Sequence, residues 1–236
     1  MFFLIAFFSE VLGTMAGFGS STIFLPLALL FVDFKTALVL VAFLHIFGNI
    51  GRISFFRHGL DKQVLIVFGI PSIILTLVGA FIVNYVSQEV LKGILGMFLV
   101  IYAVVSLWKE ELKITPSLSN SLIGGGLSGF LAGLIGTGGA LRGAFLTAFG
   151  LPKEKYIATA AAIALAVDIT RIPVYLAQGF LESKFYWYIP FLFAIAIVGS
   201  FTGREIVKKI PQKQFKKIVL IAILLIGIKF VWDWLK

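Results

Sequence analysis

The chain has no cysteine and only two histidines in 236 residues. The first absence excludes disulfides, thiol catalysis and cysteine-ligated iron–sulfur clusters. Charge is scarce too. Asp, Glu, Lys and Arg make up 13% of the residues, against about 25% in an ordinary soluble domain. Polar linkers are nearly missing, which leaves little surface to face water. What fills the space is apolar: 60% hydrophobic residues, 25 phenylalanines and a mean hydropathy of +1.06. These proportions identify an all-α integral membrane protein.

The N-terminal MFFLIAFFSEVLG lacks a basic leader and is interrupted by Glu10, so it reads as a first membrane helix and not a cleaved signal. Apolar runs of spanning length, about 20 residues, fall at 2–31, 36–56, 63–86, 90–108, 119–149, 156–178, 185–207 and 215–235. The first and fifth are longer than a crossing needs, and both contain glycine clusters. About eight transmembrane segments are therefore expected, with glycine-broken helices in segments 1 and 5. With the N-terminus outside, Lys35, Lys92, Lys153, Lys155 and the six basic residues of 204–217 group in the cytoplasm, ten against six. This favours both termini on the non-cytoplasmic side of a multi-pass protein of the cell (inner) membrane. The net charge of +9 fits that retention of basic loops, and it also fits attraction of an anion.

The chain repeats itself. MAGFGSS at 15–21 parallels LAGLIGTGG at 131–139, and NIGR at 49–52 lines up with DITR at 168–171. Pro71 aligns with Pro190, SQEVLK at 87–92 with PQKQFK at 211–216, and Trp108 with Trp232. Five ordered matches divide one membrane domain into repeats at 1–110 and 119–236, joined by a linker at 111–118. Paired repeats are a transporter signature, because two related halves can rock about a site between them. If every segment spans, the repeats are parallel. If the glycine segments re-enter, the repeats are inverted. Eight spans is the expectation.

Glycine clusters at membrane depth serve close helix packing. They also open the backbone, and paired glycine-interrupted segments point to a binding site. The residues concerned are Gly17, Gly19, Ser20, Ser21, Gly136, Thr137, Gly138 and Gly139. An unwound stretch there leaves N–H groups at the start of a following half-helix, which binds anions. Ionisable residues at depth are few, and each costs at least about 2.5–3.5 kcal/mol. His45, Asn49 and Arg52 share one face of segment 2, and Asp168, Arg171 and Tyr175 one face of segment 6. Asp168 and Arg171, one turn apart, either neutralise each other or form a gate. Arg52 is near enough to a segment end to snorkel. Arg142 has no acid nearby in sequence, and its guanidinium suits bidentate capture of an oxyanion. Glu10 is a candidate proton-coupling carboxylate.

Enzymatic readings find no support. No pair of carboxylates lies at depth and no cluster has metal-ligand spacing, so neither catalytic residues nor a metal or cofactor is expected. GTGG at 136–139 is not a nucleotide loop, since no strand precedes it and no GK[ST] follows.

The two clusters, AGFGSS and AGLIGTGG, each opening a four-segment half, resemble the TauE/SafE family of membrane permeases. Gly150, Leu151 and Pro152 are similar to that family's turn into its next helix. The chain departs from the pattern at Ser20, Ser21 and Thr22 and at Arg142. The resemblance implies export or uptake of sulfite, sulfonates or related organosulfur anions. The expected function is therefore a secondary permease moving a small anion by alternating access. Its expected partners are that anion, H+ or Na+ as coupling ion, the lipid bilayer and a second copy in a homodimer, with no nucleic acid. Two other classes stay open: an intramembrane enzyme acting on a phosphorylated lipid precursor, and a non-transport scaffold subunit.

Overall fold

In a computed structural model the residues described are 1–16, 19–55, 59–108, 114–207 and 212–236. Among them every regular element is helical, because hydrocarbon offers no water to satisfy backbone N–H and C=O groups. The helices are α1 (Phe2–Ala16), α2 (Ser21–Ala28), α3 (Phe34–Phe55), α4 (Lys62–Val67), α5 (Gly69–Ile82) and α6 (Gln88–Trp108), followed by α7 (Leu118–Ile135), α8 (Gly139–Ala148), α9 (Lys153–Ala177), α10 (Tyr188–Val207) and α11 (Gln212–Leu235). Seven stretches are long and apolar enough to cross a membrane, α4 and α5 counting as one, and α1 is a shorter apolar helix. Polar residues start several of them. Asp61 accepts from the Val64 N–H and Ser117 from the Asn120 N–H, while Asp33 accepts from the N–H groups of Lys35 and Thr36. Each holds a donor that the first turn leaves without a partner.

The expected helix breaks are present in segments 1 and 5, and in both the chain doubles back. A Cβ on Gly13 would overlap the Ser20 backbone, and one on Gly138 would overlap the carbonyl oxygen of Ser128. The Phe2 ring meets those of Phe24 and Phe31 at centroid distances of 5.3 and 6.1 Å. Gly124 likewise faces the ring of Phe145. The 2–31 and 118–148 stretches are thus helical hairpins, each folded back on itself. Doubling back is the geometry that the re-entrant arrangement, one of the two open to the sequence, requires. The other long apolar stretches are α3, α4–α5, α6, α9, α10 and α11.

Pairing directions follow from individual contacts. α3 and α9 are antiparallel: the Thr36 hydroxyl donates to the Phe180 carbonyl at 3.3 Å, and His45 meets Asp168. α6 and α11 are antiparallel, with Gly93 against Trp234 and Gly96 against Phe230. α1 runs parallel to α10, where Phe3 stacks near Phe191 while Val11 backs onto Gly203. α7 runs parallel to α5 in the same manner. There, Gly125, Gly129 and Gly133 lie four residues apart and press on the carbonyl oxygens of Phe68, Ser72 and Thr76. The hydroxyls of Ser72 and Thr76 donate to the carbonyls of Gly125 and Gly129 at 2.9 and 3.0 Å. Small residues permit this approach, and the hydroxyl bonds lock it.

This arrangement regroups the basic residues. Lys35, expected alongside Lys153 and Lys155, bonds Asn84 and lies over the Phe180 ring, at the end where α9 finishes. The lipid-facing surface is apolar, with exposed aromatic residues such as Tyr85, Trp108, Tyr186, Trp187 and Trp232 near helix ends, where amphipathic rings favour the interface.

Two outcomes are expected. Gly129→Ala should lower the unfolding temperature in detergent, overpacking costing about 1–3 kcal/mol. Gly69→Ala, whose Cβ would make an ordinary 3.6 Å contact, should leave it nearly unchanged. Because the chain lacks cysteine, single cysteines can be labelled without background. Asp33→Cys and Lys184→Cys should react from one side of the membrane, and Thr115→Cys and Lys155→Cys from the other.

Candidate functional site

The two re-entrant tips meet in the interior. Thr22 in the first turn of α2 and Thr137 just before α8 share a hydrogen bond of 2.8 Å between their hydroxyls. The backbone turns at Gly19 (φ +87°) and at Gly136 (φ +72°), left-handed conformations that glycine adopts without a steric penalty. After each turn a half-helix begins, so two helix N-termini converge on one place. First-turn N–H groups have no partner within a helix and carry partial positive charge.

Polar side chains of the long helices line the same place. His45, at the middle of α3, is 4% exposed, and its Nδ1 lies 2.8 Å from Asp168 Oδ2 on α9. Its other ring nitrogen, Nε2, has no hydrogen-bond partner and faces Gly19, where a Cβ would come within 2.9 Å. Asn49, one turn further along α3, gives its Oδ1 to Arg52 and leaves Nδ2 without a partner. Ser20 is fully buried, and its hydroxyl is unpaired as well. Buried polar atoms in native proteins are nearly always satisfied, so these three orphans, with Ser9 Oγ and Glu10 Oε2 on α1 also unpaired, mark a place whose polar groups lack partners.

Arg142 sharpens that mark. It lies on the first turn of α8, 5% exposed, and its guanidinium makes no hydrogen bond or ion pair with the described residues. Asp168, Tyr156, Arg171 and Arg52 are close enough to act on it electrostatically, two of them as like charges. Leaving a buried guanidinium unpaired costs several kcal/mol.

The other two arginines are committed elsewhere. Arg171 binds Asp168 Oδ1 through Nε at 2.9 Å and Nη2 at 2.7 Å, and donates to the Ala132 carbonyl at 2.7 Å. The Tyr175 hydroxyl donates to the Gly133 carbonyl at 2.5 Å. Together they satisfy orphan carbonyls at the end of α7, where positive charge complements the helix dipole. Arg52 plays the matching part at the other hairpin: its Nη2 bonds Glu10 Oε1 at 2.6 Å and Thr14 Oγ1 at 2.9 Å. Each arginine thus ties a broken hairpin to a crossing helix.

The structure brings together Gly19, Ser20, Ser21, Gly136, Thr137, Gly138, Gly139, His45, Asn49 and Arg142. It sets Arg52, Asp168 and Arg171 around them as ion pairs. Gly17 lies outside the described residues. Sequence reasoning missed the seat of Glu10, which fits against α3 and α10 only because Gly48 and Gly199 leave room for it. Those glycines carried no local signal, being far from Glu10 in sequence.

Removing the shared carboxylate by Asp168→Ala should destabilise the protein by about 3–5 kcal/mol, the cost of stranding a buried charge. Combining it with Arg171→Met should cost less than the two single changes added together, as thermal melting of the three variants would show.

The comparisons with known proteins agree with one another. The model of the family described as Sulfite exporter TauE/SafE matches residues 2–230. A probable membrane transporter protein of Methanocaldococcus jannaschii is 26% identical over 244 residues, covering 94% of this chain and 90% of that protein. No solved structure matches.

Proposed function

As the chain belongs to the TauE/SafE sulfite exporter family, we propose that this membrane transporter is a secondary permease for a small oxyanion, with sulfite or a sulfonate as its substrate class. The observation that carries the reading is the unpaired guanidinium of Arg142 beside the orphaned atoms of Ser20, Asn49 and His45. A trigonal or tetrahedral oxyanion presents several acceptor oxygens to donors arriving from different directions. Two convergent helix N-termini, a guanidinium, an amide and a hydroxyl provide such donors. The donors are general for small anions, and the family supplies the sulfur chemistry.

Alternating access follows from the chain's organisation. Each half contributes one re-entrant hairpin and three crossings. The antiparallel α3–α9 and α6–α11 pairs, with the matched α1–α10 and α5–α7 pairs, support two inverted repeats at 1–110 and 119–236, joined by the 111–118 linker. Rocking one repeat against the other would expose the anion to each side in turn, with no covalent change in the solute. The ion pairs Arg52–Glu10 and Arg171–Asp168 would act as the two latches of that motion.

If the hairpins re-enter, the order of the sequence alone would group the twelve Lys and Arg of 57–62, 109–113, 153–155 and 204–217 against Lys35, Lys92, Lys184, Lys229 and Lys236. This bias is stronger than that of eight full spans. On the positive-inside rule the basic face would be cytoplasmic and both termini outside.

The test is thermal stabilisation of the purified protein by a panel of small anions. A ligand at one hundred times its Kd stabilises by about 2.7 kcal/mol. Sulfite or a sulfonate should raise the melting temperature, and Arg142→Ala should weaken that binding about 10- to 100-fold, as expected for a lost hydrogen bond to a charged group. No response to any small anion would overturn the reading.

A further inference from the structure

The charges buried around the tips do not balance. Glu10, Arg52, Asp168, Arg171 and Arg142 contribute three guanidiniums against two carboxylates, an excess of one positive charge. A singly charged anion would neutralise it. A doubly charged anion would leave one negative charge uncompensated in a low-dielectric interior, where charge imbalance is expensive.

One group can supply the missing charge. Histidine is the side chain that ordinarily changes charge near neutrality, and His45 is the one histidine at this site. The contact of its Nδ1 with the Asp168 carboxylate assigns the Nδ1 hydrogen as a donated one. In the neutral ring, Nε2 then presents a lone pair to the site. A lone pair repels an anion, whereas a proton on Nε2 binds one. Anion and proton therefore favour each other's binding, and the coupling is reciprocal.

Resting on the anion reading above, we propose that His45 Nε2 is the site of a co-transported proton, taken up from water with a doubly charged anion and released with it. Only an N–H bond forms and breaks. Among the other groups packed around α3, Asp168 bonds the His45 ring directly, with Arg171 on the far side of the same carboxylate. Glu10 and Arg52 are engaged with each other next to Asn49, and α8 brings Arg142. Among the described residues before α2, the neutral Gly19 faces the ring. α10 keeps Tyr188, Arg204 and Glu205 at its ends. α6 holds Glu89 and Lys92 near its start, where Gln88 meets Phe34.

The test uses the whole protein in liposomes loaded with a pH-sensitive dye, with sulfate as a doubly charged anion and methanesulfonate as a singly charged one. Inward movement of sulfate should acidify the lumen, and movement of methanesulfonate should not. Sulfate affinity should rise up to about tenfold for each unit of pH lowered, the slope for one linked proton, while methanesulfonate affinity, with half the charge facing Nε2, should rise less steeply. His45→Gln keeps a polar ring substitute and should lose both the acidification and the slope. The wild-type readings alone decide the matter should that variant fold poorly. Sulfate movement without protons, or a His45→Gln variant that still moves them, would overturn the proton site and leave the anion reading standing. Failure of both anions to bind or move would overturn the two together.

Discussion

Backbone that stops being helical in the middle of a bilayer has to be enclosed by protein, since lipid satisfies none of its polar groups. Everything distinctive here follows from two such interruptions, at Gly19–Ser20 and at Gly136–Gly138. Enclosing them requires helices to come very close, and the glycines of α7 and α10 allow it at the α5–α7 and α1–α10 crossings. It also requires the carbonyls before the second break to be bonded, which Arg171 and Tyr175 do for Ala132 and Gly133. Ion pairs at this depth are therefore part of the architecture that makes a broken helix tolerable.

Once enclosed, the breaks become useful. Under the proposed reading, two half-helix N-termini facing one point would make a positive site, to which Arg142 would add a full charge. The hydrogen bonds divide the polar groups: the acids pair with the arginines that tie the hairpins and with the histidine that bridges α3 and α9, while Ser20 Oγ and Asn49 Nδ2 have no partner. The two latches differ chemically. One pairs Arg52 with Glu10 on a separate helix, and the other pairs Arg171 with an acid on its own helix that is also shared with a histidine. Two halves with similar folds can thus respond differently to one ligand.

Much of this was legible in the chain. Hydropathy set the eight apolar segments, and the glycine clusters marked where two of them break. The helical period put His45, Asn49 and Arg52 on one face and Asp168, Arg171 and Tyr175 on another. The lack of any acid near Arg142 in sequence anticipated its unpaired state. Less visible was the tip-to-tip bond between Thr22 and Thr137, residues ordinary enough to pass for packing. The fit of Glu10 into a slot made by Gly48 and Gly199 was equally hidden, because a glycine in a membrane helix has many uses.

By itself, then, the sequence determined the membrane class, the helices and the positions of their breaks, because hydrophobicity and helical period are properties of short, contiguous segments. Only the tertiary structure decided that the broken segments turn back, that Arg52 belongs to Glu10 and His45 to Asp168, and that Arg142 belongs to neither acid. Those partnerships join residues 42 and 123 positions apart. No local pattern specifies such a pairing; it arises when buried charges at similar depth are packed together and each must find a partner or remain available for a ligand.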